Sequence, residues 1–422
     1  MKTPLCMMAL VAMSIAAFVP SSSAQLNIPS DGSDGALIVA SNTVIDLSKA
    51  VTGAWDASNT NNAGKGIYDS NKWAVVFKYS SVTISNGATV TFANHGSRAP
   101  VVWLVSGDVT INATLSLDGR NGSQNGSGSV LAEPGPGGFR GGPGNYATGV
   151  ADASGLGPGG GQRRGANNYG SAGSYGSVGG YGPTIYGNPS LIPLIGGSGG
   201  AGYSGDGRGG GAGAGAILIA SAGTISISGT VRANGGGDYG GSGGGSGGGL
   251  RLVGNLLTGN GIVQCLGGLA ASGASHNGGL GRIRIERVSN SSTIQVIPDP
   301  SVVPLQAGAT PLIWLPSDGP TARIVSIGGT NAPADPRASF GTFGPDVALP
   351  QVSTTPVIIE TTNAESASVV TVRVSPRANG NYTETTATLT QTNSTNPLVL
   401  RWTANVPVAN GYSAVQVKVV RP

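Results

Sequence analysis

The chain has 422 residues, 74 of them glycine, with charged residues at 10% and aromatics at 5%. So few charges exclude a highly charged disordered chain. The excess of 23 Lys and Arg over 19 Asp and Glu, formally +4, is too slight and too scattered for a nucleic-acid footprint.

The length allows a sizeable core and two domains. Glycine falls in clusters, and the segments between are rich in Val, Ile, Leu and Thr, which favours ordered strands joined by glycine loops. Residues 1–24 read as an export signal: Lys2 at the positive end, an apolar run from Leu5 to Val19, and Ser22-Ser23-Ala24 as the small-residue cleavage pattern before Gln25. That run is short and no later one could span a bilayer, so the mature chain is expected to be secreted or held at the envelope without a transmembrane span. Cys6 leaves with the signal. Cys265 then has no intrachain partner, and its parity with Val263 marks it as a buried thiol rather than a nucleophile.

From Gln25 to Asp118 the aliphatic residues alternate as in strands with one buried face. Val75 to Gly96 aligns with Val101 to Gly122, placing Phe77 and Trp103 26 residues apart, a length suited to one coil of a three-faced β-helix. Val75, Phe77, Val101 and Trp103 are expected inside, and Ala36 to Leu47 as a capping rung. Val76, Val102, Leu104 and Leu218 are apolar on the opposite parity, so either the glycine-rich insertion or the C-terminal domain should cover that face. Residues 119–213 form this insertion between two rungs, either hydrogen-bonded in extended polyproline-like runs or mobile.

Gly213 to Val288 states one unit twice and begins it a third time. Ile217, Leu250 and Ile283 are 33 apart in turn, as are Ile219, Leu252 and Ile285. A repeat of this size predicts a solenoid in which each unit buries its apolar face on the next. The expected architecture is all-β: a right-handed parallel β-helix over 25–288, a Ser/Pro-rich linker over 289–311, and an antiparallel β-sandwich over 312–422. In that second domain Val370/Val372/Val374, Leu398/Leu400/Trp402 and Val415/Val417/Val419 face one core, with Arg373, Arg401 and Lys418 outside. Turns are expected at 378–380 and 409–411.

The stretches SDGA (33–36), KWAVVFKYSSV (72–82), SRAPVVWLVSGDVTIN (97–112), EPGPGGFRGG (133–142), GRIRIE (281–286) and PLVLRW (397–402) carry a resemblance. With them the chain resembles a group of uncharacterised glycine-rich secreted bacterial proteins. The resemblance implies a β-helix exported to the envelope or medium and brings no catalytic residues.

Asp108, Asp118, Asp206, Asp238 and Glu286 are spread along the chain without a paired acid on consecutive rungs, and read as solvated turn carboxylates rather than a polysaccharide-cleaving site. His95 and His276 share no metal spacing with each other or with Cys265, and the glycine runs carry neither a phosphate-binding motif nor a calcium register. No cofactor or metal is indicated. Thr83, Thr110 and Thr224 form no recurring ladder of the kind an ice-binding face requires.

Arg251 and Arg284 leave one face on adjacent rungs with Glu286 two residues on. They read as an ion ladder or as a site for an acidic sugar, and are the candidate ligand-binding residues. Tyr146, Tyr169, Tyr175, Tyr181, Tyr186, Tyr203 and Tyr239 lie in glycine-rich loops, where they either pack on the solenoid or adhere to sugars and surfaces. The expected role is non-enzymatic, structural and adhesive, at the cell surface or in the matrix. An extracellular polysaccharide or cell-surface polymer is the expected partner, and nucleic acid is not. The alternative is a carbohydrate-binding or polysaccharide-degrading protein.

Overall fold

Alternating aliphatic side chains at the 33-residue step create the strands on which the chain is built. The computed structural model describes residues 24–58, 63–123, 131–144, 154–164, 169–203, 207–336, 345–377 and 381–422; residues 1–23 of the expected signal at 1–24 and the turn at 378–380 lie outside them. Ile217 stands beside Leu250 and Leu250 beside Ile283, while Ile219, Leu252 and Ile285 form a second column. Both columns run on through Val101 and Val75 and through Trp103 and Phe77. All of these side chains are buried.

The protein is all-β. Its first sheet runs Ser301–Pro304, Arg282–Asn290, Gly249–Thr258, Ala216–Ile227, Val101–Val105, Ala74–Ile84, Ile67–Asp69 and Val51–Thr52, with Gly35–Val39 and Val109–Ile111 also joined to it. Its pairings are parallel except where Ile67–Asp69 meets Ala74–Ile84. A second parallel sheet runs Gln295–Ile297, Ile262–Gln264, Thr230–Arg232, Thr114–Ser116, Thr89–Ala93 and Thr43–Asp46. The two sheets enclose one aliphatic core, to which Val90, Leu115, Val231 and Val263 contribute from the second.

Val101–Val105 and Ala216–Ile227 are direct neighbours although the glycine-rich insertion separates them in sequence. The expected alignment of the first two rungs holds for Val75 with Val101 but slips by one residue further on, where Val82 meets Val109. The stretch read as a linker carries two strands, Gln295–Ile297 and Ser301–Pro304, that extend both parallel sheets. Pro298 and Pro300 fall between these strands, and Ser301 and Pro304 begin and end the second of them.

The apolar outer face is covered, in part by the two segments expected, through Leu194 of the insertion and Ile313 and Trp314 of the C-terminal part, and in part by N-terminal residues and Leu305. Val76, Val102, Leu104 and Leu218 are buried with Leu26, Ile28 and Ile313, and Trp55, Trp314 and Leu305 pack against the cluster.

Successive backbone N–H groups of residues 210–215 bond to three different neighbours in rotation. Gly210 and Gly213 donate to Gly142 and Phe139, Gly211 and Ala214 to Gly243 and Ser246, and Ala212 and Gly215 to Arg120 and Leu117. Residues 243–248 repeat the pattern toward Ala201 and Ser198, His276 and Gly279, and Gly236 and Ala233. A period of three is that of the polyproline II screw, which has no internal hydrogen bonds and leaves every donor free for a neighbour. Both runs are buried throughout. Glycine is required by contact: a Cβ on Gly211 would lie 1.9 Å from the carbonyl oxygen of Gly236, and one on Gly248 1.8 Å from that of Gly215.

Beyond Thr321 the sheets are antiparallel. Thr330–Asn331, Thr321–Ile327, Thr354–Thr362, Leu398–Pro407 and Thr388–Thr395 form one, and Thr383–Thr386, Val369–Pro376 and Ser413–Val420 the other. Val357, Ile359, Val370, Val372, Val374, Leu400 and Trp402 fill the core they share. Arg373, expected in solvent, is buried. It lies on the face away from that core but against the insertion, donating to the carbonyl of Gly157 at 2.7 Å while pairing with Glu384 at 2.7 Å.

Candidate functional site

The proposed ligand residues Arg251, Arg284 and Glu286 do come together, and they occupy one another. Register places Arg251 beside Arg284. Their Nε atoms donate to Glu286 Oε1 at 2.9 and 3.0 Å, Arg251 Nη2 reaches the carbonyl of Leu312 at 2.6 Å, and Arg284 Nη1 the hydroxyl of Ser301 at 3.1 Å. Arg251 and Glu286 are 2% and 5% exposed, which leaves Arg284 as the one partly open member of the triad.

The other sequence candidates are also held locally. Asp108 accepts from Thr224 N at 2.7 Å, and Asp118 from Asn234 N at 2.8 Å while pairing with Arg232. His95 stacks on Tyr68 at 4.1 Å between ring centroids, with Nδ1 2.8 Å from Ser97 Oγ. Among the described residues no three His, Cys, Asp or Glu side chains are grouped to hold a metal ion. Asp206 and Tyr146 lie outside those residues. Burial pushes the Cys265 thiol well above its usual range, and Sγ lies 3.7 Å from the carbonyl of Arg282. Thr83 pairs with Thr110, but Thr224 falls beside Leu256; a threonine column does form on the second sheet, from Thr89, Thr114 and Thr230.

The loop tyrosines divide into two groups. Tyr175 and Tyr186 are buried, with hydroxyls donating to the carbonyls of Ile195 at 2.9 Å and Gly196 at 2.6 Å. Tyr169 and Tyr181 are 41% and 53% exposed and belong to an unbroken row. Tyr203 stacks on Tyr169 with centroids 5.5 Å apart and planes at 21°. His276 follows, 5.7 Å from Tyr169 and 5.5 Å from Tyr181, edge-on to the latter at 71°. The Arg164 guanidinium closes the row 3.5 Å above the Tyr181 ring. Tyr239, also exposed, lies close by in sequence to Gly241, on which Tyr203 packs.

Glycine geometry positions each member. Arg164 and Tyr169 face one another across a short antiparallel pairing, and Gly170 N donates to the carbonyl of Gly241. Tyr203 is bridged to Arg208, whose Nη1 donates to the carbonyl of Gly240 at 3.1 Å. The carbonyl of His276 accepts from Gly244 N at 3.0 Å. The row therefore caps the glycine runs at the end away from the strands they lead into.

Burial and, secondarily, Arg164 hold the His276 pKa below its ordinary value, against the opposing pull of Asp238. Asp238, whose own pKa burial raises, is bound by Ala271 N and Ser272 Oγ. In the sequence His276 stands out only as a possible metal ligand, and Arg164 carries no motif. Its nearest signal was the Arg163-Arg164 pair five residues before Tyr169 in a glycine loop. Comparison of the chain with protein-family models, with curated protein sequences and with solved structures finds no match.

Proposed function

We propose that this is an exported, non-enzymatic protein of the cell surface or extracellular matrix, with a structural and adhesive role. In this reading the first part is a right-handed parallel β-helix with long glycine loops, and the last part a small β-sandwich. In-register parallel strands in two sheets around one core support the first, and two antiparallel sheets sharing a core support the second. The signal-like segment at 1–24 supports export.

The observation that carries the adhesive reading is the Tyr169–His276–Tyr181 row, its two tyrosines exposed, mounted on a hydrogen-bonded glycine bundle. Aromatic rings give large contact area at low entropy cost, and a fixed mount lowers the cost further. Deleting the gene and scoring surface attachment, with antibody labelling of intact cells, tests the proposal. Loss of attachment together with surface labelling is the expected result. A cytoplasmic protein, or unchanged attachment, sinks it. Product release from polysaccharides incubated with the purified chain would instead favour a degrading enzyme.

A further inference from the structure

We propose that the row Tyr203–Tyr169–His276–Tyr181–Arg164 is a binding platform for a carboxylate-bearing polysaccharide, a polyuronate, whose acid groups are read by Arg164. This rests on the adhesive reading and names the polymer that the surface contacts.

Three observations carry it. First, the row brings rings from separate chain segments into continuous contact, with Tyr169 and Tyr181 the exposed members. The faces of aromatic rings are electronegative and attract the electropositive C–H side of a pyranose. A row suits an extended chain of sugars better than a single small ligand.

Second, Arg164 is exposed and has no carboxylate partner among the described residues, whereas Arg98, Arg140, Arg232, Arg251 and Arg373 each have one. Its guanidinium lies 3.5 Å above the Tyr181 ring, so one planar face is covered. The N–H donors in the plane of the group remain at its edge, in the fork that fits a carboxylate with two parallel hydrogen bonds. Stacking fixes the fork in place before any ligand arrives.

Third, among the described residues the acid that acts on His276 is already engaged. Asp238 is buried and accepts from Ala271 and Ser272, so it does not reach across to neutralise Arg164. Single-stranded nucleic acid also stacks on aromatic platforms, but such sites track the backbone with a groove of cations. Here one guanidinium at the end of an aromatic row favours a polymer with sparser, carboxylate charge.

The test is affinity electrophoresis of the full chain in gels containing polygalacturonate, alginate or hyaluronate, with methyl-esterified polygalacturonan and a single-stranded oligonucleotide as comparators. At least one polyuronate should retard the protein, with esterification weakening polygalacturonate binding about tenfold if that is the one bound. Arg164→Gln should remove the dependence on free acid, Arg164→Lys should keep part of it, and Tyr181→Ala should weaken binding to every sugar. Lys418→Gln, an equal loss of charge at an exposed position of the C-terminal sheet outside the row, should change nothing, and circular dichroism confirms that each variant is folded. Retardation by none of the three polyuronates, equal retardation by acid and ester, indifference to Arg164→Gln, or tighter binding of the oligonucleotide each overturns the proposal. Loss of attachment on gene deletion without polyuronate binding overturns this site and leaves the adhesive reading. Polyuronate binding with attachment unchanged does the reverse.

Discussion

Arg251 and Arg284, side by side on neighbouring strands, donate to the same oxygen of Glu286, at 2.9 and 3.0 Å. Two guanidiniums this close are tolerated because one carboxylate lies between them. Glu286→Gln leaves two like charges in a nearly dry site, and should lower stability by about 3–5 kcal/mol, the usual cost of breaking a buried pair. Urea denaturation followed by circular dichroism measures it. A loss below about 1 kcal/mol, the scale of a surface pair, would mean that the triad is hydrated.

Leu252 stands between Ile219 and Ile285 in the second internal column. Leu252→Ala opens a cavity there and should cost about 2–5 kcal/mol. Ile38, 73% exposed on the first rung, should tolerate alanine within about 0.5 kcal/mol. Equal effects at both positions would contradict the column.

Gly211→Ala forces a methyl group into the Gly236 carbonyl, and the obstacle is backbone that cannot rotate aside. About 1–3 kcal/mol is expected from overpacking alone, with more if the bundle separates. Gly53, where a Cβ meets only Ile67 at 3.9 Å, should accept alanine without loss. Thermal melts of the two variants decide the point.

Arg373 ties the C-terminal sheets to the insertion through Gly157 and Glu384, with its guanidinium 3.8 Å above the Tyr382 ring. Arg373→Ala removes charge-assisted hydrogen bonds each of about 1.5–3 kcal/mol. Hydrogen exchange should quicken in 154–161 and 383–386 while the Ile217 columns stay protected. Unchanged exchange at Gly157 would show that the contact contributes little.

His276 binds its proton more weakly in the folded chain than its ordinary value of 6.5. Between those two values the unfolded chain carries more protons, so stability is full above 6.5 and falls as pH drops through the lower, folded value. Replacing His276 with Asn should flatten that part of the stability–pH curve. An imidazole titrating at or above 6.5 by nuclear magnetic resonance would contradict the burial assigned to it.

The columns were legible because strand parity and the 33-residue step together fix register, so Ile217, Leu250 and Ile283 could be stacked on paper. Cys265 followed from the same parity. The apolar outer face was legible as a face needing a cover, and Ile313 comes from a segment named for it, but Leu26 and Ile28 come from a remote stretch with no period to reveal them. The glycine bundle was legible as one of two alternatives, hydrogen-bonded extended runs or a mobile segment, but not its partners, since its bonds join backbone atoms and no side chain reports their direction. Arg164 and His276 escaped for a related reason: each was adjacent in sequence to nothing that named its role, and only the folding of separate loops brought them to the tyrosines.

The rotation of donors through Gly142, Gly243 and Arg120 gives each glycine run a phase as well as a length. Adding or removing one residue turns every later N–H toward the wrong neighbour, whereas a change of three restores the aim. Length variation in these loops, natural or engineered, should therefore come in triplets, the way reading frames tolerate codons.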